Sequence, residues 1–99
     1  MRAPLLSRAR ADLAEAVAHY EDKEAGRGRD FVAEFCHTLD KIVQYPGIGT
    51  RFTRRTRRFR LRMFPCGVLY AVRGDTVLVA AVMDLRRGPT AWHERASDL

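Results

Sequence analysis

The spacing of apolar residues changes along this chain, and that change limits the folds it can adopt. Up to about Tyr45, apolar residues recur every three or four positions, as they do in helices that bury one face. From Arg57 onward they recur at every second position, as they do in strands with one buried face. Helices followed by strands that are linked as hairpins indicate the α+β class, with a mainly antiparallel sheet of three to four strands.

The first half predicts two helices joined as an antiparallel hairpin. Ser7 is a candidate N-cap for a helix that runs to about Glu24. A second helix is expected from near Asp30 to about Tyr45, where Pro46 and the glycine after it end it. The predicted apolar faces consist of Leu13, Ala16, Val17 and Tyr20 in the first helix, and of Phe31, Phe35, Leu39, Ile42 and Val43 in the second.

The second half predicts three strands and a short terminal helix. Residues 57–63 alternate between apolar and arginine side chains, which predicts one buried and one cationic face. Residues 68–73 and 76–83 follow, separated by the hairpin-turn pair Gly74 and Asp75. The second of these two segments is almost wholly apolar, as expected of a central strand covered on both faces. Pro89 suits the first turn of a helix that carries Trp92.

Two further segments have weaker patterns. Residues 48–56 are polar and basic and are predicted to form a loop. Residues 1–6 are predicted to form a short first strand or an extended arm. Pro4 lacks an amide donor, so this segment is expected at a sheet edge.

Positive charge is concentrated in the second half of the 99 residues. Residues 1–50 hold seven Lys and Arg against eight Asp and Glu, giving −1, whereas residues 51–99 hold eleven against four, giving +7. The sum is the net charge of +6. Such a local positive field attracts phosphates or an acidic protein surface.

Seven arginines lie within the twelve residues from 51 to 62. Alternate side chains on a strand lie roughly 6.6–6.8 Å apart, close to the rise between phosphates of an extended nucleic acid strand, although an acidic protein fits equally well. A solvated basic face without a ligand is the other interpretation. The candidate partner- or phosphate-binding residues are Arg54, Arg55, Arg57, Arg58, Arg60, Arg62, Arg86, Arg87 and Trp92.

The remaining reactive side chains give little indication of catalysis. Trp92 is interpreted first as an anchor for the terminal helix and second as a ring that stacks on a base. His93 is the one histidine considered as an acid or base, and no histidine has a metal-ligand spacing with the cysteines. Cys36 and Cys66 are predicted to be reduced thiols. No cofactor and no metal are predicted.

No apolar run approaches the ~20 residues that span a bilayer, and no signal peptide is visible, so we expect no membrane association and a cytoplasmic location.

Several segments together resemble toxins of the RelE/ParE superfamily, which belong to bacterial type II toxin–antitoxin modules. The likeness covers nearly the whole chain. It is carried by Ala11-Asp12-Leu13, Tyr45-Pro46-Gly47-Ile48-Gly49, Phe59-Arg60-Leu61, Val68-Leu69-Tyr70-Ala71-Val72, and Leu85-Arg86-Arg87-Gly88-Pro89 with Trp92. The resemblance implies a single toxin domain over residues 1–99, a helical hairpin packed on a twisted sheet, and a cognate antitoxin that wraps and neutralises the toxin.

The resemblance also separates two activities. In the branch that cleaves mRNA on the ribosome, basic residues occupy the places of Arg58, Arg60 and Arg86. That branch also has a basic residue where Gly67 stands and a tyrosine where Trp92 stands. Glycine and indole supply no proton for transfer near neutral pH, which favours a ParE-like toxin that inhibits DNA gyrase. The alternatives are a ribosome-dependent mRNA endonuclease that uses Arg58, Arg60, Arg86 and His93, and a non-toxic homologue that only binds a partner.

Overall fold

A helical hairpin packs on one face of an antiparallel sheet, and a short third helix covers part of the other face. The computed structural model describes all 99 residues. The elements in chain order are α1 Ser7–Lys23, α2 Arg27–Gln44, β1 Thr50–Arg51, β2 Arg57–Arg60, β3 Cys66–Arg73, β4 Thr76–Asp84 and α3 Pro89–Ala96. The predicted α+β class is therefore confirmed.

The sheet has the order β1-β2-β3-β4, and all neighbouring strands are antiparallel. β3 and β4 form a hairpin whose turn contains Gly74 at φ +60°, a backbone conformation that glycine adopts without strain. Residues 1–6 form the predicted extended arm and pair in parallel with the free edge of β4 through the bridges Arg2–Thr76 and Leu5–Val79. β4 therefore lies between β3 and the arm, as its apolar sequence predicted.

Each face of the sheet has its own hydrophobic cluster. On the hairpin side, Phe31, Phe35 and Ile42 of α2 pack against alternate residues of β3 and β4 such as Val68 and Val79. On the opposite side, a smaller cluster lies beneath α3; its buried members are Leu69, Ala80, Ala81, Met83 and Trp92. The alternation of side chains along β3 supplies both clusters from one strand.

A β-bulge lies between Leu69 and Tyr70 of β3. Leu69 pairs with Ala81 and Tyr70 pairs with Val79, so Ala80 of β4 has no partner in the ladder. The bulge places Ala80 and Ala81 together in the α3-side cluster. It also leaves the Ala80 carbonyl available to a side chain, Arg95, rather than to β3.

The helix starts differ from the predicted ones. Leu6, not Ser7, is the N-cap of α1, and no side chain caps that end. The Ser7 hydroxyl instead accepts a hydrogen bond from Arg10 at 3.2 Å. The second helix begins at Arg27 rather than near Asp30, because the Glu21 carboxylate accepts hydrogen bonds from the Gly26 and Gly28 amides and stabilises an earlier start.

The predicted cationic strand over 57–63 is too long. β2 ends at Arg60, after which residues 61–65 turn, and the Glu34 carboxylate accepts a 2.8 Å hydrogen bond from the Met63 amide. Leu61 and Phe64 are buried in this turn, whereas Met63 is 71% exposed. Arg62 therefore does not share a strand with Arg58 and Arg60. The predicted loop at 48–56 also contains the two-residue strand β1, which pairs with β2.

Two classes of feature do not occur in the structure. None of the helices combines the length and the apolar character that crossing a bilayer requires. No three His, Cys, Asp or Glu side chains come together in a way that could hold a metal ion.

Candidate functional site

The arginine-rich segment does not present one continuous row, because its members lie on different sides of the sheet. Arg57 points to the hairpin side, where it donates hydrogen bonds to the backbone carbonyls of Gly49 at 2.8 Å and Gly47 at 3.3 Å. Arg58 points to the α3 side, where its guanidinium lies 4.9 Å from the Trp92 ring centroid and 5.4 Å from that of Phe52. Both arrangements hold a cation in a fixed position.

None of the seven arginines of the segment has a carboxylate partner. The ion pairs of the protein involve only Arg8, Arg27, Arg86 and Arg95. The backbone carbonyls that accept from Arg51 and Arg57 satisfy donors but do not neutralise the charges. The positive field that the sequence predicted is therefore uncompensated on the folded protein.

Phe52 contacts both Arg58 and the terminal helix α3. Its ring lies 6.3 Å from that of Trp92 and 4.6 Å from that of His93. Arg58 and His93, both members of the predicted endonuclease set, therefore both lie close to the Phe52 ring. Arg60 follows on the same face of β2 and is exposed.

Trp92 and Gly67 fill the place beside Arg58 and Arg60. Trp92 is fully buried, so its ring packs within the α3-side cluster and not on an outside ligand. Gly67 pairs with Arg60. A Cβ on Gly67 would lie 3.0 Å from Leu85 Cδ2 and 3.3 Å from Trp92 Cη2. Gly67 and Trp92 are the two positions that differ from the RNA-cleaving branch. They pack against each other, and the missing side chain at Gly67 leaves space for the indole.

Arg86 is paired with a carboxylate two residues before it, Asp84. Its guanidinium donates to both carboxylate oxygens of Asp84, the shorter contact being 2.5 Å. This pair lowers the pKa of Asp84 from its ordinary 3.8 to about 2 and raises the pKa of Arg86. Arg87 next to it is exposed and forms no ion pair.

Sequence reasoning missed one charged group, the buried pair of Arg95 in α3 and Asp12 in α1. The Arg95 side chain is 6% exposed; its Nη2 lies 2.8 Å from Asp12 Oδ2 and donates to the Ala80 carbonyl at 2.8 Å. The other contact of Asp12 is with β4, where Oδ2 accepts from the Val82 amide at 3.0 Å. The pair joins residues 83 positions apart, so no local pattern could have identified it.

A groove of about 490 Å³ lies between α2 and the segment that follows β2. Its lining is net positive, because four cations, Arg27, Lys41, Arg60 and Arg62, outnumber two carboxylates, Asp30 and Glu34. The apolar side chains of Met63 and Phe64 also line it. Arg27 lies 4.5 Å above the Phe64 ring. Cations around exposed apolar surface suit a partner segment that is both acidic and amphipathic.

Comparison with known proteins supports the fold. The chain is similar to a chain in the structure of the chromosomal ParDE toxin–antitoxin system from P. aeruginosa. The two share 18% sequence identity at a TM-score of 0.74, over 85% of this chain and 95% of the other. No family model matches the sequence, and no curated protein matches it.

Proposed function

We propose that this chain is the toxin of a type II toxin–antitoxin module. In this proposal the toxin is ParE-like and acts in the cytoplasm by binding and inhibiting DNA gyrase, and a cognate antitoxin neutralises it. The observation that carries the proposal is the set of seven arginines without any carboxylate partner. The chain shares its fold with a component of a ParDE system. Its arginine-rich surface lacks counter-charges of its own, as expected of a toxin that an acidic partner neutralises.

The packing beside Arg58 supports binding over catalysis. RNA cleavage through the ribose 2′-OH requires a base and an acid close to the phosphate-binding cations. Next to Arg58 and Arg60, this protein has a buried indole and a glycine without space for a side chain. Neither group transfers a proton near neutral pH.

Expression of the toxin alone, followed by a supercoiling assay with purified gyrase, tests the proposal. We expect growth arrest in cells and inhibition of supercoiling in vitro. Arg60→Gln with Arg62→Gln should relieve both, because these exposed arginines make no side-chain hydrogen bond or ion pair in the free protein. The matched control, Lys23→Gln with Arg29→Gln, removes the same charge from the helical hairpin and should retain both effects. Full supercoiling activity at high toxin concentration would refute the gyrase target.

One observation favours the second candidate, a ribosome-dependent mRNA endonuclease. Arg58 and His93 both contact Phe52, which places a phosphate-binding cation near a group that could exchange a proton. Primer extension on translated mRNA tests this function: cuts that depend on the toxin and disappear in His93→Gln would favour it over gyrase inhibition. If folded protein leaves growth unimpaired, the chain is a non-toxic homologue that only binds a partner.

The groove between α2 and β2 is the proposed docking surface for the antitoxin. Its cations and exposed Met63 would complement a segment with acidic and apolar side chains that becomes ordered on binding. Co-purification with the product of a neighbouring short acidic reading frame tests this placement. Met63→Asp should abolish capture, whereas Val32→Asp, which alters an exposed valine outside the groove, should preserve it. Equal capture by both variants would show that the antitoxin binds a different surface.

A further inference from the structure

A second cationic site lies at the other end of the sheet, in a cavity of about 320 Å³ that we name the arginine notch. Its charged lining is Arg51, Arg54, Arg55, Arg57 and Arg73, and no acidic residue lines it. Arg73 belongs to β3 and comes from outside the arginine-rich segment, so only the tertiary structure brings the five together. β2 pairs with β3 only as far as Tyr70, which leaves residues 71–73 of β3 as one wall of the notch.

Residues 51–57, which carry four of these arginines, have a defined internal structure. Thr56 is 2% exposed, and its Oγ1 lies 2.7 Å from Thr53 Oγ1 and accepts from the Thr53 amide. The Phe52 amide donates to the Thr56 carbonyl at 2.9 Å, while the Phe52 ring packs against Trp92. A basic loop that only faces solvent needs no such internal hydrogen bonds. These bonds hold the backbone in one conformation, so the arginines are already positioned before a ligand binds.

Three of the guanidinium groups are also fixed by backbone oxygens. Arg51 donates to the Arg54 carbonyl at 2.7 Å and Arg57 to the Gly49 carbonyl at 2.8 Å, while Arg73 donates to a main-chain oxygen of Leu99, the last residue of the sequence, at 2.7 Å. Each guanidinium has five N–H donors, so most of them remain available to a ligand. Arg54 and Arg55 are exposed at the rim and donate no side-chain hydrogen bond within the protein.

We propose that the arginine notch binds the sugar–phosphate backbone of a nucleic acid. Five positive charges around a small cavity require a ligand with several closely spaced negative charges, and guanidinium forks match phosphate oxygens in geometry. An acidic peptide presents its carboxylates on separate flexible side chains, and ordering them in the notch would cost conformational entropy. The site is independent of the proposed toxin function, because it requires no gyrase, ribosome or antitoxin.

The test measures binding of a short fluorescent DNA duplex by purified protein, using anisotropy over a series of salt concentrations. Each phosphate contact contributes about 0.9 to the slope of log K against log salt for duplex DNA. Arg54→Gln with Arg55→Gln should therefore reduce the slope by about 1.8, and Arg73→Gln alone by about 0.9. Lys23→Gln with Arg29→Gln, which removes two charges far from the notch, should leave the slope unchanged.

Several outcomes would overturn the proposal. Equal loss of slope in the two double variants would mean that the protein attracts DNA only through its net charge. If polyglutamate displaces the duplex at an equal concentration of charges, the notch binds acidic peptides. If tripolyphosphate displaces it equally well, the notch takes a free polyphosphate anion. Thermal melts of each variant establish that it is folded, so that lost binding reports on the notch. If expression of the protein causes no growth arrest although it binds DNA as expected, the toxin function is refuted and the notch proposal stands.

Discussion

Arginines serve two different purposes in two regions of this protein. Between α1 and α3, Arg95 and Arg8 each meet carboxylates: Arg95 contacts Asp12 at 2.8 Å, and Arg8 contacts Glu94 at 3.0 Å. Between residues 51 and 62, seven arginines meet none. The residue type is the same, but in the first region its charge is neutralised within the fold and in the second it remains available.

The difference shows that an arginine's role is determined by the groups around it. The Arg95–Asp12 pair joins α3 to α1 and to the bulge of β4, so it stabilises one arrangement of three elements. We expect the arginines of the arginine notch to repel one another in the free protein and to be stabilised when an anion binds. Four predictions test this division and the packing beside Arg58, in order of decreasing expected effect.

The largest effect is expected for Arg95→Leu. The change leaves the Ala80 carbonyl without its side-chain donor and the partly buried Asp12 carboxylate without its counter-charge. We expect a loss of roughly 3 kcal/mol in the free energy of unfolding, measured by urea denaturation. Arg8→Leu, which removes an exposed pair at the same helix interface, should have a much smaller effect. Equal destabilisation by the two changes would contradict the distinction between the buried and the exposed pair.

Gly67→Ala should have the next largest effect. The new Cβ would approach Leu85 and Trp92 at 3.0 and 3.3 Å, so we expect a loss of about 2 kcal/mol from overpacking. In a Trp92→Leu background the same change should be milder, giving a coupling of about 1 kcal/mol in a double-mutant cycle. Gly47→Ala, where a Cβ would meet nothing within 4 Å, is the control. Absence of coupling would mean that the glycine and the indole are not one packing arrangement.

Removing charge from the arginine notch should stabilise the free protein slightly. Arg54→Gln with Arg55→Gln is expected to raise the free energy of unfolding by about 0.5 kcal/mol at low salt, and the gain should shrink as salt screens the repulsion. Lys23→Gln with Arg29→Gln should give no gain, since Arg29 helps to lower the pKa of Glu21. A destabilised Arg54/Arg55 variant would show that these side chains support the fold.

The smallest effect concerns pH and the pair of Arg86 with Asp84. The folded pKa of Asp84, about 2, lies below its ordinary value of 3.8. The pair's contribution is therefore fully present above about pH 4 and is lost as the pH falls towards 2. The effect is small because the Arg86 side chain is 79% exposed. Asp84→Asn should differ from the parent in thermal melts at neutral pH and match it near pH 2; a difference that persists there would have another cause.

Patterns within single segments were sufficient to predict most of the fold. Both helices, the β3–β4 hairpin, the edge arm and the helix at Pro89 follow from the period of the apolar residues and from proline and glycine positions. The exact start of α2 and the end of β2 did not follow, because Glu21 and Glu34 reach backbone amides outside their own helical ladders. The uneven charge was visible in the sequence, but its division between two sides of the sheet was not.

The sequence by itself determined which segments are helices and strands and that the second half carries excess positive charge, because these properties depend on neighbours a few positions apart. Only the tertiary structure decided which arginines are neutralised. Asp12 meets Arg95 across 83 positions, and Arg73 joins the loop arginines across a sheet. An ion pair depends on distances of a few ångströms in space, and the order of residues along the chain does not specify those distances.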